Sequence, residues 1–222
     1  MKITSIRLDN VLPRVFAEDG VDDTKPARSD VWHTATAFER GKYYCINAES
    51  GTGKTSLCSF IMGVRTDYLG HIFFNDTDIS SLSMNDWCAL RCSSLAYLPQ
   101  ELDIFDELTA IDNVLLKNRL TDFRTEADIR RMFEALEIDH RISRLAGKLS
   151  VGQKQRVAII RALCQPFDFI LLDEPVSHLD IENNQRCADM VIEAAKAQEA
   201  GVIFTSVGNP LKVQVPFISL SL

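Results

Sequence analysis

Residues 46–56 read Ile46-Asn47-Ala48-Glu49-Ser50-Gly51-Thr52-Gly53-Lys54-Thr55-Ser56. Ahead of them the apolar run Tyr43-Tyr44-Cys45-Ile46 reads as a buried strand; behind them Leu57, Phe60, Ile61 and Val64 fall at helical spacing. A glycine-bearing loop between a strand and a helix is the setting in which such a stretch binds phosphate. Gly51 and Gly53 allow backbone N–H groups to turn inward around an anion, with the positive end of the helix behind them. Lys54 is placed to reach terminal phosphates, and the Thr55 hydroxyl to ligate Mg²⁺. The full pattern opens on glycine where this chain has Ala48, a replacement that requires an ordinary negative φ at that position. Glycine and serine near a lysine also occur in ordinary loops, so the rest of the chain has to decide.

A chain of 222 residues with 46% hydrophobic and 25% charged residues has the material for one sizeable α/β domain. Its net charge of −7 argues against gripping nucleic acid. No apolar run approaches the ~20 residues of a membrane-spanning helix, and the opening Met1-Lys2-Ile3-Thr4-Ser5-Ile6-Arg7 holds no signal-peptide core. The six cysteines form no Cys-x-x-Cys pair and are expected to be reduced, buried small apolar residues of a cytosolic protein.

Ile3–Leu8 alternates as a half-buried strand does, residues 17–30 read as a polar surface loop, and Val31–Phe38 is a second strand candidate. With a short strand at His71–Phe74, these form a small N-terminal antiparallel sheet. Ser94–Leu98 is a further apolar strand, closed by Pro99-Gln100. Residues 108–148 then change character: Ile111, Val114, Leu115 and Ile129, Met132, Phe133, Leu136 have helical periodicity, as in a helical subdomain inserted into the α/β body. Ser150, with Gln153 three residues on, has the pattern of a reciprocal helix cap. Phe167–Leu172 is apolar throughout and runs into Asp173-Glu174-Pro175, which implies a strand of a mostly parallel sheet buried on both faces. A helix over about 183–198, a strand at Val202–Phe204 and one or two short strands within Val213–Leu222 complete the chain.

Taken in order, these motifs resemble those of the ABC ATPases, a family of P-loop NTPases, and the resemblance spans essentially the whole chain. Ala48–Thr55 resembles the Walker A loop, Gln100 the Q-loop, Leu149-Ser150-Val151-Gly152-Gln153 the family signature, Ile170–Pro175 Walker B, and Ser177-His178-Leu179-Asp180 the D-loop. The resemblance implies a nucleotide-binding core over approximately 1–100 and 150–222 with a helical subdomain over approximately 101–149. It implies ATP and Mg²⁺ as cofactors, with Thr55, Gln100 and Asp173 around the metal. Glu174, beside Asp173 at a strand's carboxyl end, has the placement of a general base for the attacking water. Ser150, Gly152 and Gln153, with Asp180, are expected to complete the ATP pocket of a second chain in a head-to-tail dimer. Read alone, Gln100 is a polar residue after proline and Ser150 caps an ordinary helix. Phe16 is the candidate to stack on adenine, with a plain core role as the alternative.

Two further positions depart from the family pattern. Val151 replaces a glycine, and Ser206, after Val202-Ile203-Phe204, stands where a histidine is expected to meet the γ-phosphate. A hydroxyl is shorter, uncharged and a weaker phosphate partner than an imidazole, so Ser206 is an expected catalytic position with reduced capacity and hydrolysis is expected to be slow. His178 reads as a surface or seam residue. The leading expectation is a stand-alone ATPase subunit at the cytoplasmic face of a membrane. It would pair with a second ATPase chain, identical or not, and receive a short helix of separate permease subunits near Asp103-Ile104-Phe105 and Leu108. An ATP-gated interaction module with little turnover, or the degenerate half of a heterodimeric pair, is the alternative. A DNA- or ribosome-directed role is remote, since neither a long coiled coil nor a second such domain is present.

Overall fold

The computed structural model describes residues 1–18, 29–208 and 210–222. In chain order the elements are β1 (Ser5–Pro13), α1 (Arg14–Glu18), β2 (Ala35–Glu39), β3 (Tyr43–Asn47), α2 (Lys54–Ile61), β4 (Tyr68–Phe74), β5 (Thr77–Asp78), α3 (Met84–Ser93) and β6 (Leu95–Leu98). They continue with α4 (Ala110–Asn118), α5 (Glu126–Ala135), α6 (Val151–Ala162), β7 (Phe169–Leu172), α7 (Ile181–Gln198), β8 (Gly201–Ser206) and β9 (Ile218–Ser221).

Two sheets result. An antiparallel sheet runs β2-β1-β4-β5, and an all-parallel sheet runs β6-β7-β8-β3-β9. Successive side chains of a strand point to opposite faces, and each inner strand of the parallel sheet divides its residues between two cores. Phe169, Leu171, Ile203, Tyr44 and Ile46 join the core under the antiparallel sheet and α2. Ile170, Leu172, Val202, Phe204 and Cys45 join the core built with α6 and α7. The apolar side chains of α4 and α5, Val114, Ile129 and Phe133, belong to that second core as well. Leu57, Phe60 and Ile61 anchor α2 in the first core, which fixes the direction in which its N-terminus points.

The structure corrects three expectations. The second strand begins at Ala35, not Val31: the N–H groups of Val31 and Trp32 are taken by the Ser29 hydroxyl oxygen in a turn, at 3.1 and 2.8 Å. Val64 lies outside α2 and is exposed, because Gly63 adopts φ +62° and ends the helix while the Val64 N–H returns to the Ser59 carbonyl. The C-terminal stretch holds one strand, β9, within the one or two expected there, and Pro216 removes a backbone donor just ahead of it. Cys45, Cys58, Cys164 and Cys187 are buried, but Cys88 is exposed and Cys92 half-buried on α3, whose buried face is Leu90. Of the polar stretch 17–30, residues 19–28 lie outside the described residues.

Candidate nucleotide site

Four strands of the parallel sheet deliver their carboxyl ends to one place: β3 into residues 48–53, β6 into Pro99-Gln100, β7 into Asp173-Glu174, and β8 at Ser206. The carboxyl edge of a parallel sheet is where α/β folds gather ligands. Ala48 is absent from the residues with positive φ, so alanine is unstrained there, whereas Gly51 and Gly53 sit at φ +84° and +98°. Gly53 is the N-cap of α2 and supplies no side-chain acceptor, so the first N–H groups of α2 have no side-chain cap and face the loop as an anion-binding end.

Lys54 is buried. Its Nζ donates to the Glu49 carbonyl at 2.6 Å and the Ala48 carbonyl at 3.4 Å, and lies 3.7 Å from Glu174 Oε1. The amine therefore stands inside the loop, between its backbone and the carboxylate at the end of β7. The Thr52 hydroxyl closes the loop onto the Glu49 carbonyl at 2.9 Å. Thr55 Oγ1 and Gln100 Oε1 are 3.5 Å apart. Glu49 and Ser50 are exposed at the rim, and Ser56 accepts from Arg65 at 3.0 Å.

Asp173 is 1% exposed. Its Oδ1 accepts from the Thr205 hydroxyl at 2.7 Å, while among the described residues its buried Oδ2 has no hydrogen-bond partner. The buried Ser206 hydroxyl is likewise without one. A buried polar atom left unpaired is costly; an acceptor of this kind on β7, next to the strand β6 that leads to Gln100, is what a hard, hydrated cation such as Mg²⁺ would satisfy. The donor set fits that ion. Glu174 is held in the left-handed region at φ +48°, its N–H bonded to Thr205 Oγ1 at 3.0 Å.

The signature segment forms the expected cap. Ser150 Oγ accepts from the Gln153 N–H at 3.3 Å and Gln153 Oε1 from the Ser150 N–H at 3.1 Å. Val151 is the first residue of α6 and half exposed, so valine is tolerated by the backbone. A Cβ on Gly152 would meet the His178 carbonyl at 3.2 Å, which packs this helix start against the segment after Walker B. Gln155 reinforces the contact, accepting from the His178 N–H at 3.2 Å. His178 Nδ1 pairs with Ser177 Oγ at 2.9 Å, and Asp180 caps α7 through the Asn183 N–H at 2.8 Å. Thus Ser150, Gln153 and Asp180 engage their own caps, while the loop, Gln100, Asp173, Glu174 and Ser206 share the sheet edge.

Phe16, on α1, comes within 3.4 Å of where a Gly53 Cβ would stand. Sequence reasoning missed Trp32, whose ring lies 3.1 Å from the same point and whose Nε1–H donates to the Thr52 carbonyl at 3.1 Å. It also missed Thr205 and Arg161. For Thr205 a signal existed: a hydroxyl residue directly before the already conspicuous Ser206.

The sequence model of the family described as ABC transporter matches residues 33–177. The molybdate/tungstate import ATP-binding protein WtpC of Thermococcus kodakarensis is 34% identical over 153 residues, 68% of this chain and 44% of that protein. The lipoprotein-releasing system ATP-binding protein LolD of Saccharophagus degradans is 30% identical over 173 residues, 76% of this chain and 75% of that protein. The chain thus spans less than half the length of the WtpC relatives it matches. Among solved structures, the dimeric bacterial ABC transporter cassette MJ0796 superposes with a TM-score of 0.74 at 21% identity, over 97% of this chain and 94% of that one. A bacterial Atm1-family ABC exporter with ATP bound gives 0.71 at 23% identity, over 92% of this chain and 35% of the exporter. At these identities the likeness carries the fold, an α/β P-loop NTPase core with antiparallel and parallel sheets. With the family model spanning well over half of it, and the loop, Gln100, Ser150 cap and Asp173-Glu174 all inside the match, this chain belongs to the ABC transporter family of ATP-binding proteins.

Proposed function

We propose that this chain is the ATP-binding subunit of an ABC transporter, binding Mg-ATP at the sheet edge and hydrolysing it slowly. The observation that carries the reading is the buried Lys54 amine, directed into the loop at 2.6 Å from the Glu49 carbonyl and 3.7 Å from the Glu174 carboxylate. Triphosphate oxygens entering the loop would take over that amine together with the loop N–H groups and the start of α2. Thr55, Gln100 and Asp173 would hold Mg²⁺, which when bound neutralises charge on the phosphates. Glu174 would accept the proton of the attacking water. At Ser206 the short hydroxyl would donate at most one hydrogen bond toward the γ-phosphate, and it carries no positive charge.

Closure over the nucleotide would bring Ser150, Gly152 and Gln153 of a second chain onto the phosphates, with Asp180 at the seam. A homodimer would carry serine at both sites, whereas an unlike ATPase partner would leave one site with its histidine. The membrane partner is a permease subunit. A groove of ≈ 490 Å³ lined by Tyr97, Pro99, Asp103, Phe105, Leu116 and Arg161 supports docking of a short amphipathic helix near Gln100. Ile104 packs inward against the core instead of lining it.

Equilibrium binding and turnover test the reading. Wild type should bind Mg-ATP, Glu174→Gln should trap it in a dimer seen by light scattering, and Ser206→His should raise the steady-state hydrolysis rate. Absence of bound triphosphate in the Glu174→Gln chain overturns it. The Ser206 hydroxyl, without a partner among the described residues, favours a second reading, an ATP-gated interaction module; ATP that stays intact for hours, with Ser206→His inert, selects that one.

A further inference from the structure

Beyond the residues that would touch nucleotide or metal, one buried side chain joins the two adjacent carboxylate positions at the end of β7. Thr205 is 1% exposed on β8, and by alternation it faces the α2 side with Ile203, whereas Phe204 faces α6 and α7. Its hydroxyl has one proton, and the geometry assigns it. A carboxylate is an acceptor only, so Thr205 Oγ1 donates to Asp173 Oδ1 at 2.7 Å, and its lone pair accepts the Glu174 N–H at 3.0 Å. The relay therefore runs one way, from the Glu174 amide through the hydroxyl to the Asp173 carboxylate, and each bond polarises the next.

We propose that Thr205 is the positioning residue of this site, setting the Asp173 carboxylate for the divalent cation and the Glu174 backbone for the attacking water with a single hydroxyl. Two observations carry it. With Oδ1 occupied, the buried Oδ2 is the atom left without a partner among the described residues, so Thr205 determines which oxygen of Asp173 is presented. Glu174 sits at φ +48°, a conformation that is unfavourable for any residue with a Cβ, and the bond from its own N–H to Thr205 holds it there. Ser206, one residue on, has a buried hydroxyl with no partner among the described residues and performs neither task.

The inference rests on the reading of this edge as an Mg-ATP site, and the experiment separates the two. ATP affinity is measured by calorimetry on the whole chain, once with Mg²⁺ and once with EDTA, for wild type, Thr205→Val and Thr205→Ser. The valine chain should keep its metal-free affinity within about twofold and lose about tenfold of the gain that Mg²⁺ confers, the size expected for one hydrogen bond to a charged group. Serine, which keeps the hydroxyl, should restore that gain. If the valine chain does not fold, Thr205→Ala carries the same comparison. A hydroxyl-free variant with the full Mg²⁺ gain overturns the assignment of Thr205 while leaving the nucleotide site standing, as does a serine variant as impaired as valine. A wild type that binds no ATP, or gains nothing from Mg²⁺, removes both.

Discussion

Arg161 on α6 donates through Nη1 to the Asp103 carbonyl at 2.6 Å, joining the helix that opens at Ser150 to the turn that follows Gln100. A second N–H of the same guanidinium reaches the Leu102 carbonyl. Both residues of that turn are left-handed, Leu102 at φ +64° and Asp103 at +48°, which costs about 1–2 kcal/mol per residue. The planar fork of arginine offsets part of that cost by holding two adjacent carbonyls at once. Arg161→Ala should therefore release the turn: amide hydrogen exchange at 101–105 rises, and global stability falls by about 1–3 kcal/mol. Arg161→Lys should not restore protection, since a single ammonium cannot reproduce the fork.

Trp32 braces the glycine loop at 48–53 through one hydrogen bond, from its indole N–H to the Thr52 carbonyl at 3.1 Å. Trp32→Phe keeps an aromatic ring against Gly53 and removes that donor, worth about 1 kcal/mol. ATP affinity should fall about fivefold. The chain has two tryptophans, Trp32 and Trp87, so in a Trp87→Phe background the fluorescence of Trp32 should change on adding Mg-ATP. No change in either quantity would show that the loop does not depend on it.

The cysteines divide by environment. Burial pushes the thiol of Cys45 up to about 11 and those of Cys164 and Cys187 to about 12, and it holds Cys58 well above its ordinary value. The thiolate is the reactive form. A maleimide added to native protein at neutral pH should label Cys88 first and Cys92 next, leaving the other four until denaturant is present. Mass spectrometry of tryptic peptides reads the order directly.

Three exposed helix caps contribute to the response to acid, alongside the likewise lowered Asp67 and Asp78. The Ser83 hydroxyl lowers the carboxyl of Asp86, the Thr125 hydroxyl that of Asp128, and the Asn183 backbone N–H that of Asp180. A carboxyl lowered in the folded state binds its proton more readily when unfolded. Its contribution is thus present above the ordinary aspartate value of about 3.9 and is lost as pH falls through the depressed one. Melting temperature should drop over that window, and replacing all three by asparagine should flatten the drop.

Several parts of this architecture are local and could be read along the chain. The Ser150–Gln153 cap spans three residues and closed as its pattern requires. The strand, glycine loop and helix at 43–61 needed only apolar spacing and two glycines, and the all-apolar Phe169–Leu172 marked a strand buried on both faces. Errors fell where a side chain, local or distant, ended an element that residue type and spacing would continue. Val31 and Trp32 carry strand-like residue types, yet the Ser29 hydroxyl takes their N–H groups. At Gly63 an added Cβ would strike the Trp87 ring at 2.3 Å, a neighbour that spacing alone does not name.

The order of residue types by itself determined the class of fold, the glycine loop ahead of α2 and the carboxylates at the end of β7, because each is written in short-range periodicity and in motifs a few residues long. The tertiary structure alone decided which side chains serve them. Trp32, Thr205 and Arg161 act across separations of 20, 32 and 58 residues. The physical reason is the strand order β6-β7-β8-β3-β9, which is not the order of the chain. Hydrogen bonds act over about 3 Å of space, and the crossovers of the parallel sheet, with the long-range pairing of the antiparallel one, bring residues so far apart in sequence to that distance.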